Sequence, residues 1–330
     1  MAGRKTVAIG VDLGGTTFSV GLVTPDGEII ARESYDTPRS EDEPLALAAV
    51  ASAVGGIMEQ ETVKPGELLG IGIGIPGPVD PESGVIRRAP NLPELDGVNA
   101  VEIVSGELDF GDEDSLPIII ANDAFCATLA ELRWGAGREV ENLVMFTLGT
   151  GVGGGIALDN RVRRGPRQIM GEVGHIIVDP HGRRCGCGNH GCLEAMAGRD
   201  GMVNAAVRML EEGMPSVLAE RGGPTHDGLS PRIISEAAHE GDEVALRVMN
   251  ASGHYIGIAL CSCIVLVDPD LILLGGGIAA AGDVLFEPIR RTVRHRSLIS
   301  GFDVDRIVAA ELGNVAGTYG AGALIIDELA

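Results

Sequence analysis

The chain has 330 residues and a formal charge of −22, from 47 acidic side chains against 25 Lys and Arg. Such acidity repels nucleic acid phosphates and anionic membranes, and so excludes both as partners. Apolar residues make up 45% but aromatics only 3%, and glycines number 49, so the sequence predicts a Val, Ile, Leu and Ala core with many tight turns and excludes a helical bundle.

The length fits two ordinary domains better than one very large one. Six cysteines and the absence of a secretory leader read as a reducing, cytoplasmic setting. The longest apolar run, residues 256–267, falls short of the ~20 residues of a membrane span and reads as a buried helix end.

Residues 7–12 form an apolar strand that runs into the glycine turn Leu13-Gly14-Gly15-Thr16-Thr17. Strands 18–23 and 28–35 follow about the hairpin turn Pro25-Asp26-Gly27. A helix is expected over 44–60, with Asp42 or Glu43 near its start. Strand 69–75 stops at Pro76-Gly77, and strand 118–121 ends at Asn122-Asp123 ahead of a helix over 124–134. A second series begins with strand 142–147, the glycine loop 149–155 and strand 156–158. Helices over 203–212, 231–240 and 243–263, strand 271–274, the turn Gly275-Gly276-Gly277, a further helix and a closing helix over 316–329 complete the pattern. Strand, glycine turn, strand thus occurs twice, which predicts a duplicated α/β unit.

Asp12 stands at a strand end before two glycines and two hydroxyls. Glycines admit phosphate oxygens close to the backbone, but an ordinary hairpin turn would look the same. Gly149-x-Gly151-x-x-Gly154 and Gly72-x-Gly74-x-x-Gly77 match the dinucleotide fingerprint, yet neither opens a helix, so the Rossmann reading fails. The only lysines are Lys5 and Lys64, neither in a Walker loop. Asp123 is either a general base at a strand end or the N-cap of the helix that follows. His175, Cys185, Cys187 and Cys192, with glycines at 186, 188 and 191, supply the imidazole and three thiolates of a closed, structural zinc site. Cys126, Cys261 and Cys263 read as core, and the remaining histidines as core or surface.

Taken together the pieces resemble the ROK family of sugar kinases and sugar-responsive repressors, most closely its bacterial glucokinases. The resemblance spans essentially the whole chain. It rests on VDLGGT at 11–16, GIPGPVD at 74–80, APNLP at 89–93, AND at 121–123, LGTGVGGG at 148–155, the cysteine segment 171–194 and LLGGGI at 273–278. It implies an α/β, actin-like ATPase (ribonuclease H-like) fold, with one lobe from 1–122 plus 315–330, a larger one from 123–314, and ATP in the cleft between them. Asp12 then matches the position near magnesium-bound phosphates, Gly14, Gly15 and Thr16 the first phosphate loop, Thr150 and Gly151 the second, and Gly275, Gly276 and Gly277 the loop beside adenosine. Asn91, Asn122, Asp123, Glu172, His175 and Glu194 match sugar-contacting positions, with Asp123 as catalytic base. His175 would hold zinc through one ring nitrogen and a sugar hydroxyl through the other.

The implied activity is transfer of phosphate from Mg-ATP to the 6-hydroxyl of glucose. Alternatives are another hexose or N-acetylhexosamine, polyphosphate as donor, a non-catalytic sugar sensor, or an actin-like filament protein. A homodimer or homotetramer is expected from the family. The repressor branch carries a DNA-binding domain ahead of the kinase-like part, for which this chain leaves no room before Val7. Phe125-Cys126, after the AND motif, departs from the smaller or polar residues of related glucokinases and bears on sugar preference.

Overall fold

The computed structural model describes residues 6–40, 43–108, 116–223 and 225–329. Lys5 and Asp42, singled out above, lie outside them. The regular elements run β1 (Val7–Leu13), β2 (Thr17–Val23), β3 (Ile29–Asp36), α1 (Leu45–Gln60), β4 (Leu68–Ile75), β5 (Val79–Asp80), β6 (Val85–Ile86), α2 (Ala100–Glu107), β7 (Ile118–Asn122), α3 (Asp123–Trp134), β8 (Leu143–Leu148), β9 (Val152–Leu158) and β10 (Arg161–Val162). They continue with α4 (Leu193–Ala197), α5 (Arg199–Glu211), α6 (Leu218–Arg221), α7 (Pro231–His239), α8 (Glu243–Val267), β11 (Leu271–Gly275), α9 (Asp283–Arg296), β12 (Ile307–Ala309) and α10 (Ala316–Glu328). Two compact units result: Met1–Arg138 with Arg161–Met170 and Glu311–Ala330, and Glu139–Asn160 with Gly171–Ala310.

In the first unit the sheet order is β3-β2-β1-β4-β7. β1 pairs antiparallel with β2 and parallel with β4, and β4 pairs parallel with β7. Strand periodicity sends Val7, Ile9 and Val11 to one face, where they join Leu47, Val50, Val54 and Ile57 of α1 in one core. The opposite face takes Ala8, Gly10 and Asp12 toward α10. A Cβ on Gly10 would run into the carbonyl oxygen of Thr318, and one on Gly72 into that of Ala321. The alternate glycines of β4 are therefore clearance for a helix, which is the physical content of the false dinucleotide match. On the same face α3 and α10 share a core of Cys126, Leu129, Ala321 and Leu324.

In the second unit β8 pairs antiparallel with β9 and parallel with β11, and β11 pairs parallel with β12. Phe146, Leu148, Ile272 and Leu274 meet Val248, Ile256 and Leu260 of α8 and Ile289 of α9 in one core. Both units thus consist of a hairpin, two further parallel strands and covering helices, the duplication expected from the sequence.

Some elements differ from expectation. β9 starts at Val152, so Gly153, Gly154 and Gly155 belong to the strand rather than to a loop. A side chain on Gly154 would strike the carbonyl oxygen of Met145, so glycine there serves strand packing. α8 runs on to Val267, leaving Val265 71% and Leu266 84% exposed rather than buried. α2, α4 and β12 had no counterpart in the sequence reading.

Candidate functional site

β1 delivers Asp12 to the α10 face. A side chain on Gly317, in the first turn of α10, would overlap the Asp12 carboxyl, so only glycine fits. Burial pushes the Asp12 carboxyl above its usual range, and the positive charge of Arg32 pulls it partly back. In the turn that follows, the Gly14 N–H donates to Thr17 O at 3.0 Å. Thr37 Oγ1 donates to Gly14 O at 2.8 Å, and Arg39 Nε donates to Gly15 O at 3.0 Å, with Nη2 on the same oxygen. Asn91 lies against the same turn: a Cβ on Gly15 would lie 2.7 Å from Asn91 Cβ.

β7 ends at Asn122 and α3 begins at Asp123. Asn122 Oδ1 accepts from the Phe125 N–H at 3.1 Å, and its Nδ2 donates to Gly77 O at 3.1 Å. Asn122, not Asp123, is therefore the N-cap. Asp123 Oδ1 accepts from the Ala124 N–H at 2.8 Å. Beneath them the Cys126 thiol is held well above its usual range by burial first, then by the nearby charges of Asp12 and Asp123. One thiol thus feels both carboxylates. Phe125 is covered by the Arg164 guanidinium, 4.5 Å from the ring centroid.

In the second unit the Gly149 N–H donates to Gly151 O at 2.9 Å, and Thr150 is exposed at the tip. The Val152 N–H donates to Glu194 Oε2 at 3.1 Å, and a Cβ on Gly151 would lie 2.5 Å from that oxygen. Gly276 has φ +81°, and a side chain there would run into Leu148 O. Ile278 N–H donates to the same oxygen at 3.0 Å, so the turn Gly275-Gly276-Gly277 lies against the start of the 149–151 turn.

Between them the cysteine segment folds into a knuckle. Cys185 N–H donates to Asn189 O at 2.8 Å and Gly188 N–H donates back to Cys185 O at 2.9 Å. The ligand atoms of His175, Cys185, Cys187 and Cys192 all lie within 4.8 Å of one another. His175 Nδ1 is 3.8 Å from Cys185 Sγ, and the Cys187 and Cys192 sulfurs are 3.7 Å apart. A tetrahedral zinc with Zn–S bonds of about 2.3 Å separates its sulfurs by about 3.8 Å, so the donor set fits that ion. Burial and the neighbouring Cys187 and Cys185 push the Cys192 thiol up to about 12, a cost that a bound divalent cation would reverse. Glu194 Oε1 lies 3.7 Å from Cys185 Sγ. Burial raises the Glu172 carboxyl, the charge of His175 lowers it and that of Glu194 raises it further.

The sequence-derived residues thus form two local sets. Asp12, Gly14, Gly15, Thr16, Asn91, Asn122 and Asp123 belong to the first unit; Thr150, Gly151, Glu172, His175, Glu194, the three cysteines and Gly275 to Gly277 belong to the second. Sequence reasoning missed Arg39, Arg32, Gly317 and Arg164. None stands in a motif; each reaches its site through tertiary folding.

A family model described as the ROK family matches residues 8–328. A glucokinase of Thermotoga maritima is 33% identical over 328 residues, 98% of this chain and 99% of that one. The crystal structure of a ROK family glucokinase from Streptomyces griseus, in complex with glucose and AMPPNP, superposes with a TM-score of 0.81 at 33% identity, covering 96% of this chain and 98% of that one. A xylose repressor of Caldicellulosiruptor bescii is 28% identical, covering 97% of this chain and 78% of its own length. With its two hairpin-led sheets and covering helices, the fold is that of the actin-like ATPases.

Proposed function

The chain belongs to the ROK family, and on that premise we propose that it is a sugar kinase that transfers the terminal phosphoryl group of ATP to the 6-hydroxyl of glucose, giving glucose 6-phosphate and ADP. One observation carries the reading. A single carboxylate, Glu194, touches both the 149–151 glycine turn through Val152 N–H and the cysteine cluster through Cys185. A sugar-binding group, a phosphate-loop turn and a metal-braced corner are thereby one rigid assembly.

In this reading zinc held by His175, Cys185, Cys187 and Cys192 supplies structure, since three thiolates and an imidazole leave no coordination position open. His175 faces the cluster with Nδ1 and keeps Nε2 for a sugar hydroxyl. Glu172 and Glu194 accept hydrogen bonds from hydroxyls, and Asn91 and Asn122 orient the ring. Asp123 takes the proton of the attacking hydroxyl. Gly14, Gly15, Thr16, Thr150 and Gly151 offer backbone N–H groups and hydroxyls to phosphate oxygens, and Gly275 to Gly277 line the adenosine. Asp12 is the carboxylate that would hold magnesium brought with ATP, whose charge offsets that of the phosphates. Its carboxyl, raised by burial, fits a site that awaits a cation.

A coupled ADP-release assay across hexoses and N-acetylhexosamines, with ATP and polyphosphate as donors, tests the proposal. Glucose with ATP is expected to give the highest kcat/KM. No ADP release with any sugar would overturn kinase activity, and a clear preference for an N-acetylhexosamine would overturn the glucose assignment.

A further inference from the structure

The first glycine turn carries a positive charge that no phosphate-loop motif announces. The chain has two lysines, and the described one, Lys64, lies in the turn ahead of β4. Phosphoryl transfer concentrates charge on the equatorial oxygens of the moving group, and enzymes set fixed cations or donors there. Arg39 stands at that turn. Its Nε and Nη2 both donate to Gly15 O, and Thr37 Oγ1 holds Gly14 O.

With both carbonyls drawn toward residues 37–39, the peptide dipoles of the turn are fixed. Among the described residues nothing accepts from the N–H of Gly15 or Thr16. Arg39 Nη2 also lies 3.3 Å from the point a Cβ on Gly15 would occupy, the same point that Asn91 Cβ approaches to 2.7 Å. The guanidinium and a proposed sugar-binding residue therefore flank one glycine. Gly15 O occupies Nε and one edge of Nη2, so among the described residues Nη1 and the second Nη2 hydrogen are left to donate. Arg39 is exposed, so this edge is open to a ligand.

We propose that Arg39 contacts the transferring phosphoryl group and supplies the cationic charge at the first phosphate loop. The inference rests on the kinase reading. The sugar 6-oxygen forms its bond to the terminal phosphorus, the bond from that phosphorus to the bridging oxygen breaks with its electron pair leaving on ADP, and the hydroxyl proton passes to Asp123. Arg39 neither gains nor loses a proton; it donates to the phosphoryl oxygens throughout.

The test compares wild type with Arg39→Ala, Arg39→Gln and Arg39→Lys. Each is assayed for kcat and for KM of ATP and of sugar, with sugar binding by calorimetry and thermal melting alongside. Gln keeps an N–H for Gly15 O but no charge, whereas Lys keeps the charge. The expected result is a loss of kcat/KM for ATP of about 100-fold in both Ala and Gln. Lys should recover at least about 10-fold of that loss, while sugar affinity and melting stay at wild-type values. Gln behaving as wild type while Ala fails would show that Arg39 only holds the turn, and would overturn the inference, as would full activity in Ala. An inactive wild type would overturn the kinase reading and this inference with it.

Discussion

Glu194 accepts a hydrogen bond from the Val152 backbone N–H at 3.1 Å, while its other oxygen lies 3.7 Å from Cys185 Sγ. A carboxylate that braces the glycine turn is thereby oriented before any ligand arrives. Glu194→Gln keeps the shape and one accepting oxygen but removes the charge. KM for the sugar is expected to rise about 10- to 100-fold, the worth of a hydrogen bond to a charged group, with little change in melting temperature. Steady-state kinetics and a thermal melt check both parts.

Asp123 begins α3 while Asn122 caps it, so the aspartate can be altered without uncapping the helix. Asp123→Asn is expected to lower turnover by at least about 100-fold while sugar binding by calorimetry stays near wild type. Near-normal turnover would remove Asp123 from the role of base.

The four ligand atoms of the cysteine cluster lie within 4.8 Å of one another, a spacing that suits a tetrahedral cation among them. Elemental analysis of the purified native protein is expected to find one zinc per chain. Cys187→Ser is expected to lower the melting temperature by about 5 °C or more and to weaken sugar binding, because His175 loses its anchor. A metal-free native protein would refute the zinc assignment.

Asp12 has its carboxyl raised by burial, with Arg32 opposing. A carboxyl raised on folding adds stability only while protonated, so its contribution is full below its unfolded value near 3.8 and is lost as pH climbs through the raised folded value. At neutral pH the buried charge therefore destabilises the ligand-free protein. Asp12→Asn is expected to be more stable than wild type at pH 7, the difference shrinking toward pH 4, and to lose ATP-dependent turnover. Urea unfolding at several pH values measures the first effect, and an equal or lower stability for the variant at pH 7 would contradict it.

Gly276 sits at φ +81° with Leu148 O where a side chain would go. Gly276→Ala is expected to cost about 1–3 kcal/mol of stability and to raise KM for ATP more than KM for sugar. An unchanged urea midpoint would show that the turn tolerates a side chain.

Much of this was legible from local signals. β1, β4 and β7 are apolar runs cut short by Gly14, Pro76 and Asn122, and each break falls where the strand ends. The cysteine spacing alone singled out the three cysteines that the fold gathers with His175. The glycine run after Thr150 misled, because Gly153 to Gly155 lie inside β9, where Gly154 serves close packing, and sequence does not distinguish that from a loop. α2 escaped notice because an eight-residue helix capped by Asn99 offers too short a period, and β12 because it has three residues. Arg39 was invisible for a different reason. Its place at Gly15 exists only once the chain beyond β3 folds back along the first turn.

The bare-backbone contact of α10 with Gly10 and Gly72 bears on synthesis at the ribosome. The sheet emerging first is roofed by a helix translated some two hundred residues later than β7, as the order of the sequence requires. Until then the strip that carries Ala8, Gly10 and Gly72 lacks the helix that covers it. A nascent chain stalled before Ala316 would hold its entire first sheet yet leave the seat of Asp12 unroofed.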